Sequence, residues 1–166
     1  MQFSTLLITL SAAVGLTLAA PTAHSTCRRV QADATLLNVT NHPLLNVYQP
    51  QVISFSVPLK TVRRGPCALV ADFPAGYSIL DSSVQQGGPT LPINVIDVDG
   101  PAPGNSIGNI HFPSTVPDQK TKEAAKLTIN SFRCREEMTF RFEVAGDGQV
   151  MFMTNGNYGL FMEFDC

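Results

Sequence analysis

The chain is 166 residues long with a formal net charge of −2, and only 14% of its residues are charged, low beside the usual quarter or so. Neither sign forms a block, which argues against nucleic acid as a partner. No internal repeat or low-complexity tract interrupts it, and the length suits one domain with a sizeable core.

The opening "MQFSTLLITLSAAVGLTLAAPTA" sets a short polar head before an apolar run from Leu6 to Ala20, then small residues and a proline. That is the pattern of a secretory signal peptide, with Thr17 and Ala19 meeting the small-residue rule and placing the leader over residues 1–19. A membrane-spanning helix needs about 20 apolar residues. No second apolar span and no hydrophobic tail beyond Cys166 follow, so neither a membrane anchor nor a lipid-anchor signal is expected. The expected destination is extracellular or the cell wall.

Residues 20–46 read as an N-terminal extension packing on a domain that spans 47–166. Within it, Asn38-Val39-Thr40 is the only N-glycosylation sequon, so Asn38 is the expected acceptor. Arg28-Arg29 and, further on, Arg63-Arg64 are dibasic pairs that a secretory protease could cut. They read as ordinary solvated arginines, because a folded, disulfide-tied backbone resists cleavage.

The domain itself reads as short apolar or alternating runs punctuated by proline and glycine, the spacing of an antiparallel β-sandwich with little or no helix. "VISFSVPLKTV" sets Ile53, Phe55, Val57 and Leu59 on one face; "CALVADF" and "LPINVIDVD" follow, bounded by the turns "RRGP", "PAGY", "QQGGP" and "DGPAPG". "DQKTKEAAKL" is expected to be a loop or one helical turn feeding "LTINSFRC". In "EMTFRFEVAG" the residues Met138, Phe140, Phe142 and Val144 alternate with polar ones. "GDGQ" predicts a tight hairpin from this strand into "VMFM", since Asp-Gly suits the turn. "NGNYG" then leads into "LFMEFDC", with Leu160, Met162 and Phe164 facing the core and Phe161, Glu163 and Asp165 facing away.

Cys27, Cys67, Cys134 and Cys166 all follow the leader, and an even count in a secreted chain implies two disulfides. No C-x-x-C pair and no histidine at ligand spacing accompanies them, so no metal is expected. Cys67 opens a strand after "RRGP" and Cys134 closes one before "REE", which favours Cys67–Cys134 with Cys27–Cys166; Cys67–Cys166 stays open. A terminal crosslink would fasten the last strand, worth about 4 kcal/mol in the chain-entropy model.

The run "CALVADFP", then "SFRC", a glycine hairpin and the closing "GLFMEFDC" resembles the C-terminal domain family of the fungal ubiquitin-three-binding protein (But-two), in its small secreted form, over roughly Tyr48 to Cys166. The resemblance implies a β-sandwich and no known catalysis. This chain departs from the family pattern with "MTNGNY" before the closing "GL" and with "CREE" after "SFR", so no ligand is carried over to those loops.

Catalytic patterns are weak. His24, His42 and His111 are scattered, no G-x-S-x-G is present, and "DVDG" at Asp97–Gly100 lacks the third ligand and closing glutamate of a calcium loop. A small hydrolase using two carboxylates from among Asp97, Asp99, Glu143 and Glu163 is the alternative to a non-catalytic binder. With no tryptophan, and Tyr48, Tyr77 and Tyr158 far apart in sequence, a sugar-stacking platform has thin support. The expected function is therefore non-catalytic attachment to an extracellular polysaccharide or surface protein, with no cofactor. Met151, Met153 and Phe161 fall out of phase with the core residues, so the expected partner surface centres on Met153 and is rimmed by Asn155, Asn157 and Tyr158, unless residues 101–121 cover it or the strands are buried on both faces.

Overall fold

The computed structural model describes residues 27–58, 65–112, 114–115 and 119–166. The leader, His24, Leu59 and the Arg63-Arg64 pair lie outside the described residues. The strands are β1 (Arg28–Gln31), β2 (Leu36–His42), β3 (Val47–Gln49), β4 (Gln51–Ser56), β5 (Pro66–Phe73), β6 (Leu80–Asp81), β7 (Ile93–Asp97), β8 (Ser106–Ile110), β9 (Ser114–Thr115), β10 (Lys120–Thr121), β11 (Ala125–Arg133), β12 (Glu137–Val144), β13 (Gly148–Met153) and β14 (Gly159–Phe164). Between them sit the short helix α1 (Ser82–Gln85) and a 3-10 turn at Pro43–Leu45.

These strands build three antiparallel four-stranded sheets, ordered β1-β14-β5-β11, β4-β12-β7-β8 and β3-β2-β13-β6, with a small β9-β10 ribbon. The expected all-β sandwich is what forms. The first and second sheets are tied at both edges. At one, the Asp33 and Ser54 backbones are bonded and the Ser54 N–H also donates to Asp33 Oδ1 at 3.0 Å. At the other, Asn130 Nδ2 donates to the Ile107 carbonyl at 2.6 Å and Phe132 stacks on Phe140 at 5.4 Å. Gly108 lies so close to β11 that a Cβ there would sit 2.8 Å from the Ile129 carbonyl oxygen. The third sheet closes on the same core, where Phe152 of β13 meets Phe73 of β5 edge-on at 5.1 Å. Ile53, Phe55, Phe140, Phe142, Leu160, Met162 and Phe164 are all buried in it, as alternation predicts.

Several expectations shift. "GDGQ" does turn the chain, but not as a hairpin: β12 lies in the second sheet between β4 and β7, and β13 in the third between β2 and β6. The turn hands the chain across sheets, because both ladder edges of each strand are already occupied by other partners. It is anchored by Asn41 Nδ2 donating to the Gly146 carbonyl and by the His42 Nδ1–Asp147 contact at 2.7 Å. Thr154–Tyr158 likewise crosses from the third sheet to the first. "DQKTKEAAKL" has no helix among its described residues and supplies β10 and the start of β11. The part of the expected extension that is described, residues 27–46, takes part in the sheets: β1 pairs with β14, and β2 is an interior strand paired with β13 on one edge and β3 on the other, its Leu37 and Val39 buried in the core.

Candidate functional site

The period of two puts alternate residues of β2 and β13 on opposite faces. Leu37, Val39, Val150 and Phe152 fill the core, so Leu36, Asn38, Met151 and Met153 stand on the outer face of the third sheet. The register sets Leu36 opposite Met153, Asn38 opposite Met151, and Met151 opposite Leu80 of β6. Leu36, Leu80, Met151 and Met153, with Tyr77, line an open apolar groove of about 390 Å³, and Asn38 stands beside it. Met153 is 58% exposed and Leu36 41%, high values for apolar side chains on one sheet face.

Tyr77 forms a wall of this groove. Its ring stacks on Phe73 at 5.1 Å and touches Tyr158 at 4.9 Å, and its hydroxyl donates to the Met153 carbonyl at 2.5 Å. Burial pushes its pKa up to about 12, and Tyr158 adds to the rise. With one face stacked on Phe73, the ring is a wall rather than an open platform for a sugar. Tyr48, the exposed tyrosine, lies elsewhere beside Glu143, and its pKa is raised by partial burial first and by Glu143 second.

Of the four candidates read from the sequence, Met153 alone lines the groove. Tyr158 backs it through Tyr77. Asn155 spends its carboxamide on the turn, accepting from the N–H groups of Asn157 and Tyr158 at 2.8 and 3.2 Å, and Asn157 is exposed within that turn. Phe161 belongs to a different surface, buried on the outer face of the first sheet beneath the Arg29 guanidinium, 4.3 Å from its ring. The described part of residues 101–121 does not line the groove; Gln119–Thr121 bonds instead to Tyr77, Ile79 and Asp81 at its flank. Burial on both faces holds for β14 and not for β13. Leu36, Tyr77 and Leu80 were missed. The one signal for Leu36 is the "LL" pair on β2, in which only one leucine can face inward.

The carboxylates are committed to cations. Asp99 Oδ1 accepts from Arg135 Nη2 at 2.8 Å and from the Thr139 N–H at 3.1 Å. Burial lifts the Asp99 carboxyl, but Arg135 and Thr139 outweigh it and hold the pKa below its ordinary value, which keeps it ionised and unsuited to donating a proton. Asp97, buried, bonds the Gly100 N–H at 2.8 Å and lies 4.0 Å from the same guanidinium, so "DVDG" is a turn as expected. Glu163 pairs with Lys126 at 2.7 Å, and Glu143 pairs with Arg141. A second cavity of about 310 Å³, lined by Asp97, Pro101, Phe132, Arg133, Arg135 and Phe140, therefore presents a carboxylate already bonded within its own turn.

Among the described residues, the one cluster with metal-ligand spacing is Cys27, Glu163 and Cys166. Both sulfurs are joined in the Cys27–Cys166 disulfide, and Cys67–Cys134 forms the other, so no thiolate is available to a metal. None of the family models, curated proteins or solved structures compared with this chain matches it.

Proposed function

We propose that this chain is a secreted, non-catalytic binding module whose outer third-sheet groove engages an apolar segment of an extracellular protein. The carrying observation is the contiguous exposure of Leu36 and Met153 beside Met151, Leu80 and Tyr77 on a sheet whose other face is packed. Methionines suit such a role because their flexible, polarisable thioethers adapt to a partner's side chains. A polysaccharide is disfavoured by the same lining, which offers no open aromatic face and few polar groups to hold sugar hydroxyls. Two disulfides and the leader-like first residues support extracellular residence. Pairing of Asp99 with Arg135 and Glu163 with Lys126 weighs against the hydrolase reading. The resemblance of "CALVADFP" and "GLFMEFDC" to a family without known catalysis points the same way.

The test is selection of displayed peptides on the immobilised protein, beside retention on chitin, β-glucan and mannan. The wild-type chain, produced without glycans, is expected to enrich apolar peptides, and the Leu36→Ser, Met153→Ser double variant to lose that enrichment with an unchanged circular dichroism spectrum. Retention on a glycan with no peptide enrichment would replace the protein partner by a polysaccharide.

A further inference from the structure

Asn38 is exposed and lies directly opposite Met151, on the face that carries the groove. Its surroundings hold it in place. β3 pairs with β2 only from Thr40 to His42, and at Asn38 the side chain of Gln51 stands in for a strand, its Oε1 accepting from the Asn38 N–H at 2.7 Å while its Nε2 donates to the Leu36 carbonyl at 2.9 Å. The Asn38 carboxamide is fixed as well, Oδ1 accepting from Gln149 Nε2 at 2.7 Å. A planar carboxamide then turns Nδ2 away from Gln149. Residues facing each other across strands have Cβ atoms about 5 Å apart, and diagonal neighbours about 7 to 8 Å, so Met151, and after it Met153, lies within a sugar's breadth of Asn38.

We propose that an N-glycan on Asn38 is the groove's first occupant: its innermost N-acetylglucosamine lies against Met151 and Met153 and controls access to this face. In the modification, Asn38 Nδ2 bonds to C1 of the sugar of a polyprenyl-diphosphate-linked oligosaccharide. The C1–O bond to the diphosphate breaks, the lipid diphosphate leaves with the electron pair, and one amide proton is lost, with no change of oxidation state. Held by its covalent bond to Asn38, this sugar needs none of the hydroxyl-binding groups that a free polysaccharide would, and its apolar C–H face and acetyl methyl lie against the thioethers of the open groove beside the sequon. Control of access rests on the groove being the binding face; the sugar contact does not.

The experiment uses protein secreted from a host that attaches oligomannose glycans, in three forms: intact, trimmed to the single innermost sugar, and Asn38→Gln. Each is exposed to dilute peroxide, and oxidation of each methionine is followed by peptide mass spectrometry. Oxidation of Met153 and Met151 is expected to be slower by about threefold or more in both sugar-bearing forms than in Asn38→Gln. Met138 and Met162, which are buried, report that the variant is folded when they stay protected. An unoccupied Asn38, or equal oxidation of Met151 and Met153 in all three forms, overturns the proposal. Peptide capture by Asn38→Gln protein without an oxidation difference keeps the binding face and overturns the glycan contact. An oxidation difference without peptide capture keeps the contact and overturns the binding reading.

Discussion

Asp81 has no exposed surface, and its carboxylate accepts from the N–H groups of Ser83 at 3.0 Å, Val84 at 3.4 Å and Leu91 at 2.7 Å. One side chain thus caps α1 and closes the loop that returns to β7. Asp81→Ala leaves those donors buried without partners and is expected to lower unfolding free energy by about 3 kcal/mol in urea titration. Asp81→Asn, which keeps one acceptor oxygen, should lose less. At Asp99 the folded pKa is depressed below the ordinary 3.8, so the folded state binds fewer protons than the unfolded one near that value. Its stabilisation is full above the unfolded pKa and is lost as pH falls through the folded one. Arg135→Gln should therefore flatten the acid limb of a stability-against-pH curve; an unchanged limb would detach Arg135 from this effect. Tyr77 runs the other way. With its folded pKa raised from 10.0 to about 12, its contribution is present below the unfolded pKa and disappears as pH climbs through the folded value. Phenolate absorbance should show a tyrosine titrating only near there, and Tyr77→Phe should remove it.

At the scale of elements, β14 shows how both faces of one strand are occupied. Leu160, Met162 and Phe164 enter the core, while Phe161 lies under Arg29 and Glu163 pairs with Lys126. Arg29 is thus more than a solvated arginine: it also bonds Asp72 at 3.2 Å and the Gly156 carbonyl at 3.3 Å, within a strand that a protease would have to pull off the sheet. The strand begins at Gly159, whose φ of +108° and neighbouring Thr154 atoms, 2.2 to 2.6 Å from an added Cβ, admit no side chain. Gly159→Ala is expected to cost about 2 kcal/mol or more, read from the shift in urea midpoint. Alternation made the faces of β12 and of the core side of β14 legible, because side-chain period is local. Sheet membership was not legible: nothing local in "GDGQ" separates a hairpin from a turn that crosses between sheets, since that depends on β2, β4, β6 and β7 arriving from elsewhere in the chain. The same holds for the groove. Met153 was visible as an out-of-phase residue, whereas Leu36, Leu80 and Tyr77 join it only through the register of β2, β6 and β13.

Across the whole molecule, both disulfides staple the first sheet. Cys27 and Cys166 flank the β1–β14 pair with Cα atoms 4.4 Å apart, and Cys67 of β5 joins Cys134 just beyond β11 at 5.0 Å. The two bonds secure its strands in pairs, including the terminal one, and each closes a long loop worth about 4 to 5 kcal/mol in the chain-entropy model. Cys166 is exposed whereas Cys67 and Cys134 are buried, so graded reduction followed by thiol mapping should open Cys27–Cys166 first. Outside that frame, the third sheet buries Leu37, Val39, Val150 and Phe152 in the same core and leaves its outer face to the groove. Leu44 and Leu45, though more exposed, sit at the far end of β2 on a 3-10 turn. The most direct measurement of the groove's role is methyl NMR of labelled methionines during titration with an apolar peptide selected by display. The Met151 and Met153 methyl signals should move with peptide concentration while those of buried Met138 and Met162 stay in place. Peptide binding that leaves Met151 and Met153 unmoved would contradict the assignment of this face.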